Sequence, residues 1–259
     1  MTTPDVLVIA SGENPQFKAL RRLAQDNTAY RKADRVWIEG DHLCRAALAR
    51  GVKPALAVFS SSFWPLAPRE WSGTAGKTLV LNDGLWRAFS TLESPAKMGF
   101  VIDLPAAAPI APRQASVILD RVQDAGNVGS ILRSASAFGF GQVIALSGTA
   151  ALWSPKVLRA GMGAHFGLSL IEGAQLSDLD ALELPLLVTS SHQGEFLHQA
   201  KLPMPCIWAL GHEGQGVCTE LNQRATQAIR IAQPGGEESL NVAAAAAICP
   251  HASAVARPS

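Results

Sequence analysis

Cysteine is scarce and scattered. Cys44, Cys206, Cys218 and Cys249 are the only four in 259 residues, and no two form a C-x-x-C pair. That spacing suggests neither a disulfide framework nor a cysteine-built zinc site. His192, His198, His212 and His251 show no ligand spacing either, so no metal is expected. Charged residues make up only 17% of the chain, and the net charge is +1, which alone argues neither for nor against a polyanionic partner. No apolar run approaches the ~20 residues that cross a bilayer. The stretch VLVIA at 6–10 follows an aspartate, has no basic leader and is too short for a signal peptide. A chain without membrane or export signals is expected in the cytoplasm.

Also missing is a dinucleotide fingerprint, G-x-G-x-x-G directly after a strand. GMGAHFG at 161–167 comes near it but follows no strand. A nicotinamide-dependent dehydrogenase is disfavoured on that ground.

What the chain has is apolar material, 48% of it, enough for a large core. NPQFKALRRLAQ reads as an amphipathic helix, with Phe17, Leu20, Leu23 and Ala24 on one side and Lys18, Arg21, Arg22 and Gln25 on the other. RVWIEG reads as a strand. DHLCRAALARG follows as a helix, with Asp41 as its cap and Gly51 past its end. ALAVFS, KTLVLN and GFVIDL complete a small α/β unit. Between Phe17 and Lys53 stand nine Lys or Arg against four acids, a local excess of five positive charges. PAAAPIAPRQ at 105–114 then reads as a stiff, extended linker. Beyond it the apolar runs SVILD, QVIAL, LPLLVTS, CIWALG and AIRIA alternate with helical stretches, the pattern of a parallel sheet covered on both faces. The expected organisation is residues 1–104, a linker at 105–114, and residues 115–259.

Three loops of the second region carry polar residues at places where helices start or strands end. DAGNVGSILRSASAFGF puts Asn127 at an N-cap position, followed by Gly129 and by Arg133, which falls off the apolar stripe. ALGHEGQGV sets Gly211, Gly214 and Gly216 around Glu213 immediately after a strand. IRIAQPGGEESLNVAAAAA leads through Ser239, Leu240 and Asn241 into five alanines, the mark of a helix that something approaches closely.

In this order and spacing the loops resemble the SpoU (TrmH-like) branch of the SPOUT RNA methyltransferases. Asn127, Gly129 and Arg133 match that family's N-x-G-x-x-x-R. Gly211, Glu213, Gly214 and Gly216 match G-x-E-G-x-G. Ile231, Gly235, Ser239, Leu240, Asn241 and Val242 match its third motif. SPKVLRAGMGAHF is similar to the family segment between them, and about the first 110 residues resemble its N-terminal substrate-binding domain. Two departures stand out: Ala232-Gln233 replaces Pro-Met, and Pro250 interrupts a helix the family continues, so a kink or early end is expected there.

The resemblance implies an α/β chain with a small N-terminal RNA-binding domain and a C-terminal parallel-sheet domain tied in a deep trefoil knot. The alanine helix would thread that knot and pack across a homodimer. It implies S-adenosyl-L-methionine as cofactor, held through Gly211, Ile231 and Leu240 with Gly214 and Gly216, and ribosomal RNA as substrate, methylated on a ribose 2′-hydroxyl. The alternatives are a tRNA 2′-O-methyltransferase and a non-catalytic RNA-binding protein of the same fold. The resemblance makes Arg133 the base. A guanidinium stays protonated and is a poor base, so Arg133 is expected to orient the ribose-phosphate, and whether it also carries the proton stays open. Ser239 would assist, Asn127 and Glu213 would fix the loops, and Asn241 would brace the cofactor loop. The charge excess adds a separate expectation, that Lys18, Arg21 and Arg22 grip RNA phosphates.

Overall fold

The computed structural model describes residues 5–68, 71, 73–91, 94–236 and 239–256. The chain divides into two compact units, one comprising residues 1–106 with 153–166, the other residues 107–152 with 167–259. The segment 153–166, which sequence order places in the second region, thus groups with the first unit.

In the first unit, β1 (Asp5–Ile9), α1 (Pro15–Gln25), α2 (Ala29–Ala33), β2 (Arg35–Glu39), α3 (Asp41–Ala49), β3 (Leu56–Ser60), β4 (Lys77–Leu81), α4 (Asp83–Phe89) and β5 (Met98–Asp103) build a five-stranded mixed sheet in the order β1-β4-β3-β5-β2. Asn14 starts α1 by accepting from the N–H groups of Gln16 and Phe17, which satisfies two donors that a helix start leaves free. The apolar side of α1, Phe17, Leu20 and Ala24, is buried with Trp37, Leu79, Trp86 and Phe89. Gly40, at φ 98°, is the residue that caps α3, and Asp41 stands inside the first turn rather than at the cap. There its charge still complements the helix N-terminus.

The second unit holds β6 (Ser116–Asp120), α5 (Ala125–Ala137), β7 (Gln142–Leu146), β8 (Ser169–Ala174), β9 (Leu186–Thr189), β10 (Glu195–Phe196), β11 (Ile207–Gly211), α7 (Thr219–Arg224), β12 (Gln227–Arg230) and α8 (Val242–Val255); α6 (Pro155–Gly161) belongs to the segment grouped with the first unit. Its seven strands run β10-β12-β9-β11-β6-β7-β8, every pair parallel. The two central strands are buried along their whole length, as a sheet covered on both faces requires. After the outlying β12 the chain returns to the sheet centre, where α8 packs on β11 and α5. Small side chains permit that approach: Ala246 is buried and Ala243, Ala244 and Ala245 are half-buried.

Pro250 neither ends nor interrupts α8, which runs on to Val255. Proline removes one helical N–H and in a helix interior costs about 3 kcal/mol. Here Cys249, Pro250 and Ser253 are all buried, and the Trp208 indole N–H donates to Ser253 Oγ at 3.0 Å. Tertiary packing holds the last turns where propensity alone would not.

Candidate active site

The three loop motifs meet at the carboxyl ends of β6 and β11. Glu213 organises them. Its carboxylate accepts from the backbone N–H of Gln123 (3.2 Å) and Asp124 (3.1 Å) and from Asn127 Nδ2 (3.1 Å). Asn127 Oδ1 in turn accepts from Asn241 Nδ2 at 3.0 Å. Asn241 Oδ1 accepts from the N–H groups of Ala243 and Ala244, so it caps α8. One residue from each motif therefore joins a single chain of hydrogen bonds. Burial raises the Glu213 carboxyl, but the bonds from Asn127, Asp124 and Gln123 together outweigh it and hold the group below the ordinary glutamate range.

Asn127 is not the cap of α5. Asp124 is, accepting from Asn127 N at 2.8 Å. The expectation failed because Asp124 and Asn127 are both good cap formers three residues apart; the one that ends up inside the first turn frees its amide for other partners. A Cβ on Gly126, in the first turn of α5, would lie 2.8 Å from the Asp124 carboxylate oxygen and would push on the capping side chain.

The β11 loop is a tight hairpin in which His212 and Gly216 exchange both backbone hydrogen bonds. At Gly211 a Cβ would fall 2.0 Å from the Gly216 carbonyl carbon, nearer than any side chain tolerates. Gly216 itself has φ 67°, a conformation other residues adopt at a cost. His212 Nδ1 accepts from the N–H groups of Gly214 and Gln215.

Two further residues, neither of them marked by the motifs, fasten this loop. Asp120, buried at the end of β6, accepts from Cys218 N at 2.6 Å and from Arg121 Nε at 2.8 Å. Arg121, at φ 59°, reaches Gln215 Oε1 at 3.0 Å. The available sequence signal was a charged pair directly after a buried strand, which is where open α/β sheets place their ligands.

Arg133 lies six residues along α5 from Asn127, about 9 Å by helical rise. It is exposed, with no hydrogen-bond or ion-pair partner for its side chain among the described residues. Ser239 and Leu240 are exposed just before the α8 cap, Ile231 is half-buried after β12, and Gly214 is exposed. The network thus unites Asn127, Glu213 and Asn241, and Arg133 and Ser239 stand exposed outside it. In the first unit, Lys18 pairs with Glu13 at 2.5 Å, Arg21 stands 5.7 Å over the Phe17 ring, and Arg22 lies 3.8 Å from Asp26.

Cysteine chemistry finds no support in this arrangement. Burial pushes the Cys206 thiol up to about 11, Cys249 up to about 12, and Cys44 up as well. Among the described residues no group of His, Cys, Asp or Glu could hold a metal, and no helix is long and apolar enough to cross a membrane.

Comparison with known proteins gives the family. Residues 114–251 match the SpoU rRNA Methylase family. The chain is 30% identical over 258 residues to the uncharacterized tRNA/rRNA methyltransferase slr1673 of Synechocystis, covering 95% of this chain and 93% of that one. It is 28% identical to the 23S rRNA (guanosine(2553)-2′-O)-methyltransferase RlmP of Bacillus subtilis, covering 93% and 96%. The AdoMet-bound rRNA methyltransferase structure from Sinorhizobium meliloti superposes with a TM-score of 0.85 at 25% identity, over 98% of this chain and 99% of that one. With all three motifs in place and the match running over more than half its length, the chain belongs to the SpoU rRNA methylase family.

Proposed function

We infer that this chain transfers a methyl group from S-adenosyl-L-methionine to a ribose 2′-hydroxyl of ribosomal RNA. The observation that carries the reading is the hydrogen-bonded assembly of Glu213, Asn127 and Asn241 with an exposed, unpartnered Arg133 on the same helix as Asn127.

The loops suit the cofactor. Gly216 and Gly236 have φ of 67° and 81°, and nothing lies within 4 Å of where their Cβ atoms would stand. Open space therefore stands beside the loop backbone at both glycines, which suits the close approach of a flat, polar adenosyl group. Gly211, Gly214, Gly216, Ile231 and Leu240 would hold it, the exposed Leu240 side chain covering an apolar face. When bound, S-adenosylmethionine supplies a methyl group on a sulfonium that is already a good leaving group.

The chain's own residues do the rest by positioning. The Arg133 guanidinium, permanently charged, grips the ribose-phosphate and sets the hydroxyl in line. Ser239 orients the 2′-hydroxyl through a hydrogen bond, and the proton that this oxygen loses passes to solvent. Glu213, Asn127 and Asn241 act through the loops they tie together.

The return of α8 from β12 to the sheet centre supports a knotted second unit. Ala244, Ile248, Ala252 and Val255 share one stripe of α8, and Ile248 and Val255 are 40% and 65% exposed. Such a stripe on a helix that is apolar nearly all round supports burial against a second copy. In this reading residues 1–104 capture RNA, Lys18, Arg21 and Arg22 included. Residues 105–114 link that part to the catalytic residues 115–259, and the protein works in the cytoplasm.

The test incubates the purified chain with methyl-labelled S-adenosylmethionine and total RNA and maps the label. Ribose 2′-O-methylation of ribosomal RNA is the expected product. Label confined to tRNA would select the tRNA alternative. Cofactor binding with no transfer to either RNA would select a non-catalytic RNA-binding protein.

A further inference from the structure

The first unit carries a groove of about 600 Å³ that the motifs do not touch. It lies beside α1, toward the amino ends of the parallel strands β3 and β4 and next to the edge strand β1. Its floor is aliphatic: Leu7, Leu56, Leu79 and Val101 from the strands, Leu20 and Leu23 from α1. In a strand alternate side chains share a face, and the pairing Leu7↔Leu79 sets these residues side by side. Leu7 is 44% exposed, so this part of the core face is left open.

Four cations stand at the rim: Arg22, Lys32, Arg35 and Lys77. Among the described residues no acidic side chain lines the groove. Arg22 and Arg35 have weak, exposed partners just outside it, Asp26 at 3.8 Å and Asp103 at 3.4 Å. Lys32 and Lys77 are exposed and have no ion-pair partner among the described residues. Held alone, such a ring of like charge is unfavourable. It becomes favourable when an anion arrives.

We propose that this groove binds an unpaired stretch of RNA, with one or two bases laid against the Leu7–Leu79 floor and the flanking phosphates held by Lys32, Lys77, Arg22 and Arg35. The proposal rests on the RNA reading above and deepens it by naming the subsite and the form of the strand. A duplex keeps its bases stacked and could use only the rim. A single strand or loop can splay its bases onto the floor and use both. Only Arg22 is shared with the α1 face expected from charge segregation, so the subsite is centred on residues that the helix pattern does not mark.

Fluorescence anisotropy over a salt series tests it, using a short labelled single-stranded RNA and the same strand annealed to its complement. Wild type should prefer the single strand. Lys32→Ala/Lys77→Ala should weaken single-strand binding about tenfold and lower the slope of log K against log salt by ~0.7 for each phosphate that is no longer neutralised. Leu7→Ser should weaken it at an unchanged salt slope, because a base on the apolar floor releases no counterion. S-adenosylmethionine binding should stay at the wild-type value in both variants.

Wild-type affinity and slope in the double variant would overturn the proposal. So would equal competition by polyglutamate, which would assign the groove to an acidic protein. A dimer that Leu7→Ser dissociates would also overturn it, assigning the face to a second copy. A wild-type chain that binds S-adenosylmethionine but no RNA in any form would bring down the RNA reading itself and the groove with it.

Discussion

The two units leave opposite ends of their sheets available. In the second unit the loops gather at the carboxyl ends of β6 and β11, the usual place for a ligand in an open α/β sheet. They are tied there by side chains hydrogen-bonded to one another and to the loop backbone. In the first unit the open place is toward the amino ends of β3 and β4 and next to the edge strand β1, an apolar floor rimmed by loosely held cations. One end is built to fix geometry. The other offers area and charge, which tolerate many sequences of a bound strand. On the reading proposed above, recognition and chemistry make different demands on side chains and fall to these two kinds of surface.

The sharpest way to test that contrast is Arg133→Ala. A residue that only positions the reacting ribose should cost about 10²-fold or more in methyl transfer while calorimetry finds S-adenosylmethionine affinity within about twofold of wild type. Loss of cofactor binding in this variant would place Arg133 in the cofactor site instead. Gly211→Ala should act the other way round. Its Cβ would meet the Gly216 carbonyl carbon at 2.0 Å, so the hairpin must open and cofactor affinity should fall at least tenfold, measured by the same titration. Unchanged affinity would mean that the loop relaxes freely and is not the fixed element described here.

Smaller effects probe the scaffold. Ser253→Ala leaves the buried Trp208 indole N–H without an acceptor, which costs about 1–3 kcal/mol and should appear as a lower denaturation midpoint. A midpoint equal to wild type would show that the indole finds another partner.

The smallest concerns Glu213→Gln. The folded carboxyl titrates below its unfolded value, so its stabilisation is present above the ordinary glutamate value, ~4.3. It is lost as pH falls through the lower folded value. Because the group is exposed, screening keeps this to about a few tenths of a kcal/mol. The stability gap between wild type and variant should close as denaturant titrations are taken from neutral pH to below the folded value. A gap independent of pH would show that the charge itself contributes nothing.

Much of the fold was legible because buried parallel strands write themselves as continuous apolar runs. SVILD and QVIAL coincide with β6 and β7 to the residue. The edge strand β8 was not: SLIEGA is half-exposed over most of its length and breaks register at Gly173, just before its last residue, so neither periodicity nor composition marks it. The grouping of 153–166 with the first unit is a long-range association that no local pattern encodes. In the site, the motif residues were legible from their spacing. Asp120, Arg121 and Asp124 were not, since their roles come from what the fold brings opposite them. Charge segregation on α1 was visible, but Lys32 lies in α2 while Arg35 and Lys77 start strands, and the three come to one groove only in three dimensions.

The hydrogen-bond chain through Glu213 also has a direction. A carboxylate can only accept, so Asn127 must turn its NH₂ toward Glu213, which leaves its oxygen facing Asn241. Asn241 must then offer its own NH₂, and only its oxygen remains for the first N–H groups of α8. One acceptor-only group thus dictates the orientation of two amides and the polarity of a helix cap that begins far along the chain from Asn127. Reversing a single link, as Asn127→Asp would, sets acceptor against acceptor at Glu213. A change at any one of Asn127, Glu213 and Asn241 is therefore felt by the other two.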